Sequence, residues 1–118
     1  VIQGLGSIRL EVGELDRSLQ FYLDGLRFEL VVPPNGVPRR AELRAGTLSV
    51  LLAEAPPTRG RRAVGVGFRI DVLALDAYHD AIVARGIDAG PESDESGTRQ
   101  FAVRDPDGYV WFFREVLG

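Results

Sequence analysis

The groups able to do chemistry in this 118-residue chain are unevenly supplied: 17 acidic residues, 14 basic ones, a single histidine (His79) and no cysteine. Every basic residue is arginine, a bias that fits GC-rich coding better than any functional demand. Without cysteine there is no disulfide, thiolate nucleophile or cysteine-ligated metal. Without lysine there is no Schiff-base chemistry and no P-loop lysine. One histidine excludes a two-His metal site within one chain. Guanidinium recognition remains, since an arginine fork can hold a carboxylate, phosphate or sulfate bidentately. Arg9 and Arg69 each stand two residues before an acid, Glu11 and Asp71. On a strand that spacing puts both charges on one face. It therefore fits a ligand-holding pair of arginines and, about equally, a network in which Arg9 and Arg69 pair with Glu11 and Asp71.

His79 lies beside an apolar stripe of Leu75, Tyr78 and Ile82, so a half-buried helix histidine is expected, with a general base as the residual reading. The Arg59-Gly60-Arg61-Arg62 cluster reads as a solvated linker, although it could attract an anionic partner. The Glu92-Ser93-Asp94-Glu95 stretch reads as a mobile loop that could close as a lid and draw a cationic ligand. A net charge of −3 lacks the basic surplus of a nucleic-acid footprint. No apolar run approaches the ~20 residues of a membrane helix, and no signal-peptide pattern opens the sequence. The expectation is a cytoplasmic protein with neither nucleic acid nor membrane as partner.

These groups must be positioned by elements that the periodicity sets out. Ser7 to Val12 alternates as a half-buried strand. Leu15, Ser18/Leu19, Tyr22 and Leu26 fall at helical spacing, with Gly25 as the stop. Phe28 to Val32 predicts a strand ended by a Pro33-Pro34-Asn35-Gly36 turn. Ala41 to Ala45 and Thr47 to Ala53 predict a hairpin turning near Gly46, and Ala55 to Arg62 a linker. The second half repeats the plan: a strand Gly67 to Val72 and a helix Leu75 to Arg85 stopped by Gly86. A short strand near Ile87, a loop from Gly90 to Gly97, and strands Thr98 to Arg104 and Tyr109 to Val116 complete it.

The repetition has an offset of 60. Arg9-Leu10-Glu11-Val12 lies over Arg69-Ile70-Asp71-Val72, and Leu15-Asp16 over Leu75-Asp76. Duplication of a strand–helix–three-strand unit is the strongest architectural signal. Halves of about 55 residues are too small to bury a stable core alone, so they are expected to pair.

Leu15-Asp16-Arg17-Ser18-Leu19-Gln20-Phe21-Tyr22 and Phe101-Ala102-Val103-Arg104-Asp105-Pro106-Asp107-Gly108 resemble the first-helix and C-terminal hairpin signatures of the vicinal oxygen chelate superfamily. That superfamily includes glyoxalase I, extradiol dioxygenases, and fosfomycin- and bleomycin-resistance proteins, and the resemblance covers essentially the whole chain. It implies an α+β fold of two tandem βαβββ modules whose curved mixed sheet surrounds a cup, helices on the convex side. Residues 1–118 would form one domain, with module 1 at about 5–54, a linker at 55–63 and module 2 at 64–117.

Most enzymes of the superfamily hold a divalent metal with His and Glu. The corresponding positions here are Ser7, Gly67 and Phe112, which offer a weak ligand, no side chain and an apolar ring. Glu115, three residues beyond Phe112, should face the opposite way. The resemblance therefore points to a metal-independent binding protein without catalytic residues or cofactor, closest to bleomycin-resistance members. A planar small organic ligand would sit in the cup, against Ser7, Arg9, Gly67, Arg69, Phe112 and Arg114, usually across a homodimer. Trp111 and Phe113 would pack under a helix. The alternatives are a metal-dependent lyase, isomerase or dioxygenase with displaced ligands, and an interaction module whose cup is filled by its own side chains.

Overall fold

Strict alternation followed by helical spacing gives β1 (Ile8–Val12) and α1 (Leu15–Leu19) in the computed structural model, which describes residues 1–56, 66–95 and 97–116. The arginine cluster at 59–62 and most of the expected linker lie outside the described residues. The chain divides into two compact units, Val1–Arg59 and Gly60–Gly118. Each holds one mixed four-stranded sheet and one helical segment, so the duplicated βαβββ plan stands.

In the first unit the helix continues past α1 as a π-helical turn, Gln20–Gly25. Leu15, Ser18, Tyr22 and Leu26 are all buried, as their spacing requires. Gly25 does not reverse the chain. Leu26 must stay in helical register to be buried, and the left-handed residue is instead Arg27, with φ 65°. The remaining strands are β2 (Glu29–Asn35), β3 (Arg40–Ala45) and β4 (Leu48–Glu54), in sheet order β1-β4-β3-β2. Only β1 and β4 run parallel. The expected turn at Pro33-Pro34 is corrected, because β2 runs through both prolines. It is an edge strand whose pairing to β3 slips between Leu30 and Val32 and again before Asn35. Prolines are tolerated at such places, where no ladder N–H is needed. The chain turns at Gly36 instead, at φ 82°.

The second unit contains β5 (Gly67–Val72), α2 (Leu75–Ala84), β6 (Ser93–Glu95), β7 (Thr98–Arg104) and β8 (Val110–Glu115). Its order is β5-β8-β7-β6, with β5 parallel to β8. Gly86 closes α2 at φ 91°, the left-handed conformation that favours glycine after a helix. Two expectations fail in this unit. No strand forms near Ile87, where only an isolated bridge joins Ala89 to Val103. The acidic stretch is not a loop: Ser93–Glu95 pairs antiparallel with β7, through Ser93↔Gln100, Asp94↔Arg99 and Glu95↔Thr98. Exposed charges are common on a short edge strand, which is why composition alone reads this one as loop. The turn before β8 is built by Asp105, whose buried carboxylate accepts the backbone N–H of Asp107 (3.0 Å) and of Tyr109 (2.7 Å).

Both sheets carry their core on the helix side. In the first unit that core is largely aliphatic: Leu10, Val12, Leu43, Val50 and Leu52. In the second it is aromatic: Phe101, Trp111 and Phe113, with the Tyr78 ring of α2 tilted against Phe113 at 5.0 Å. No helix among the described residues is long and apolar enough to cross a membrane.

Candidate functional site

Alternation on the second sheet sends Phe68, Trp111, Phe101 and Phe113 toward the helix side. The partners of opposite parity share the other face. By register, Gly67 lies beside Val110, Arg69 beside Phe112, and Asp71 beside Arg114, which in turn neighbours Gln100. Gly67, Arg69, Phe112 and Arg114 are thus brought onto one surface. Ser7 and Arg9 belong to the first unit, Ser7 exposed just before β1 and Arg9 on that sheet's own polar face.

Charge pairing follows the network expected of duplicated Arg-x-acid spacing in the first unit and departs from it in the second. Arg9 pairs with Glu11 of its own strand at 3.1 Å, while Asp71 accepts from Arg114 at 2.9 Å. Among the described residues Arg69 has no ion-pair partner. The Nε of Arg114 is buried with no hydrogen-bond partner, a costly state for a donor. Arg69, Arg114, Gln100, Thr98 and Glu95 line a hollow of about 110 Å³. Gln100 donates to Glu95 at 2.5 Å. Glu95 and Thr98 enter this lining only because β6 is a strand, and reading that segment as loop hid them.

Ser7, Gly67 and Phe112, which the resemblance sets against metal ligands, do not fit a metal. A Cβ added at Gly67 would lie 2.9 Å from Cε2 of Phe112, so that ring occupies the space a side chain there would need. Ser7 is the remaining donor, and a lone neutral hydroxyl is a poor ligand. Among the described residues no group of three or more His, Asp or Glu is placed to hold an ion. Glu115 faces the helix side, 3.7 Å from Arg99.

His79 is also on the helix side. Its Nε2 donates to the Gly90 carbonyl at 2.9 Å, and its ring stands edge-on to Phe101 at 4.7 Å. A histidine so engaged is a packing residue. Burial also pushes the Tyr78 hydroxyl up to about 12.

A second constellation went unrecognised in the sequence and is duplicated. Arg39 donates to Asp16 in the first turn of α1 at 3.0 Å, and Glu54 accepts the N–H of Leu15 at 2.9 Å. In the second unit Arg99 bonds Asp76 in the first turn of α2, Glu92 at 2.9 Å, and approaches Glu115. Arg39 and Arg99, like Asp16 and Asp76, are 60 apart, so the offset already found was the available signal. Arg99 holds Asp76 below the ordinary carboxylate range, and the hydrogen-bonded Asp76 carboxylate pushes Glu92 above it. These clusters fasten each helix start to its sheet.

A model of the Glyoxalase/Bleomycin resistance protein/Dioxygenase superfamily matches residues 4–113. The chain belongs to this superfamily. Solved structures share its fold over nearly their whole length. SMU.1112c is 22% identical, with a TM-score of 0.82, covering 98% of this chain and 100% of that one. The fosfomycin resistance protein FosX from Listeria monocytogenes is 18% identical, with a TM-score of 0.81 and coverage of 99% and 96%. TnmS3, an antibiotic binding protein from Streptomyces sp. CB03234, is 20% identical, with a TM-score of 0.78 and coverage of 98% of each chain. No curated protein matches the sequence. As a member of the superfamily, the chain keeps the tandem modules.

Proposed function

We propose that this superfamily member is a metal-independent, non-catalytic binding protein for a small aromatic molecule, an antibiotic among the candidates. The observation that carries the reading is the Phe112 ring seated over Gly67, an apolar platform where a metal site needs donors. Phe112 supplies stacking area and Arg69 and Arg114 fix polar groups, while Gly67 leaves room for the ring. Ser7 and Arg9 are the matching contacts on the first unit's own face. The protein would act in the cytoplasm as a homodimer. One fold neighbour supports the ligand class, since TnmS3 is an antibiotic binding protein, whereas a FosX structure that holds manganese and a dihydroxypropylphosphonic acid favours the metal-dependent alternative.

Calorimetric titration of metal-stripped protein with bleomycin-class and other aromatic natural products tests this. Binding that is unchanged by chelator and weakened in Phe112→Ala is expected. No binding across the panel, with zinc, nickel, manganese or iron raising the melting temperature instead, would overturn it in favour of a metal-dependent lyase, isomerase or dioxygenase.

A further inference from the structure

The hollow beside Phe112 is bipolar. At one end stands Arg69, without an ion-pair partner among the described residues, next to the buried, unpartnered Nε of Arg114. At the other end stands Glu95, bonded to the neutral Gln100 and paired with no cation among the described residues. Asp71 neutralises Arg114 but not Arg69, since its carboxylate is turned to Arg114.

The register explains how this state arises. In the first unit Glu11 faces Ala53 across the parallel pair, and its carboxylate falls to Arg9. In the second unit the same place opposite Asp71 is taken by Arg114, which captures the acid and releases Arg69. A guanidinium so released, beside a second one lining the same hollow, calls for an oxyanion. A carboxylate without a cation at the far end calls for an N–H or O–H donor. The volume of about 110 Å³ suits a head group rather than a whole drug-sized molecule.

We infer that this hollow recognises a carboxylate bearing an α-ammonium or α-hydroxyl group. The carboxylate binds the guanidiniums of Arg69 and Arg114, and the α-substituent donates to Glu95. The inference rests on the binding function proposed above and names the head group of its ligand, whose apolar body lies against Phe112.

Affinities of glycine, glycolate, acetate and sulfate, measured by NMR titration of backbone amides, test it in the full chain. Glycine and glycolate should bind about fivefold or more tighter than acetate, as a charged hydrogen bond to Glu95 implies. Glu95→Gln should erase that preference, since glutamine can still accept from Gln100 but carries no charge. Arg69→Gln, at an exposed site, should weaken all carboxylates about tenfold with no change in melting temperature. Arg114→Ala should weaken them as much, because Asp71 then turns to Arg69. Equal binding of sulfate, acetate and glycine, indifferent to Glu95→Gln, would mean an adventitious ion only and would overturn the inference. The two readings fail separately: aromatic products that bind wild type and Arg69→Gln alike defeat the head-group assignment alone. No aromatic binding at all defeats the function on which it rests.

Discussion

The two units share one plan and differ in how they spend their charges. On the first sheet's polar face, Arg9 meets Glu11, Arg44 meets Glu29 at 3.2 Å, and Ser49 donates to Glu42 at 2.9 Å. Pairs this exposed contribute about 0–1 kcal/mol each, but they leave those guanidiniums engaged. On the second sheet Arg114 stands where the first has Ala53, and the pairing shifts by one partner. That change between duplicates leaves Arg9 paired with its own strand's acid and Arg69 without one, although Arg40 on the first sheet's face is also unpaired among the described residues. Duplication supplies the scaffold twice, and small departures from symmetry decide which copy can bind.

The cores diverge at the same registers. Val50 and Trp111 occupy equivalent places opposite Ile8 and Phe68, and Leu52 and Phe113 follow the same relation. The largest expected effect separates the two copies here. Trp111→Ala should destabilise the protein by about 3–5 kcal/mol, and Val50→Ala by about 2 kcal/mol, in denaturant unfolding. Equal losses would show that the aromatic core of the second unit is no better filled than the aliphatic core of the first.

A further asymmetry concerns Tyr78. With its hydroxyl raised to about 12 by burial, the stabilising neutral form is fully present below the unfolded value near 10. That stabilisation is lost as pH rises through the folded value. The window is therefore roughly pH 10 to 12, and the loss is of the order of 2–3 kcal/mol. Tyr78→Phe should flatten the stability profile in this range relative to wild type, as read by unfolding at stepped pH. An unchanged slope would mean that Tyr78 ionises as freely as an exposed phenol.

The helix clamps should give the smallest effects. Arg99 is set among three carboxylates, Asp76, Glu92 and Glu115, while Arg39 bonds Asp16 near Glu54. Arg99→Gln should lower the melting temperature more than Arg39→Gln, and both differences should shrink in high salt. The pH dependence has two opposed parts. The depressed Asp76 contributes stability that is present above its unfolded value and lost as pH falls through its folded one. The raised Glu92 acts with the opposite sign, since its ionisation beside Asp76 opposes folding. Carboxyl-carbon NMR should show Asp76 titrating below Glu92, and Arg99→Gln should bring Asp76 upward. A reversed order would remove the clamp as described.

Much of this was legible in the sequence. Alternation at Gly67 to Val72 and the helical stripe at Leu75, Tyr78 and Ile82 are written in side-chain type, because burial on one face demands them. The facing of Trp111 and Phe113 against Phe112 and Arg114 followed from strand parity. Two kinds of feature were not legible. Edge strands carry little hydrophobic pattern, so β2 through Pro33 and β6 across Ser93–Glu95 read as turn and loop. Partner choice among like-spaced charges was equally hidden. Arg9 and Arg69 look identical in sequence, and only the register opposite Ala53 or Arg114 distinguishes them.

The contrast between these two arginines is tested most directly by guanidinium NMR of the intact protein during titration with glycolate. The Arg69 and Arg114 Nε signals should move together and saturate, while Arg9 stays still, and Arg114→Ala should silence the response of Arg69. Equal movement of Arg9 and Arg69, or an Arg69 response undiminished in Arg114→Ala, would contradict the claim that the carboxylate is held by the second sheet.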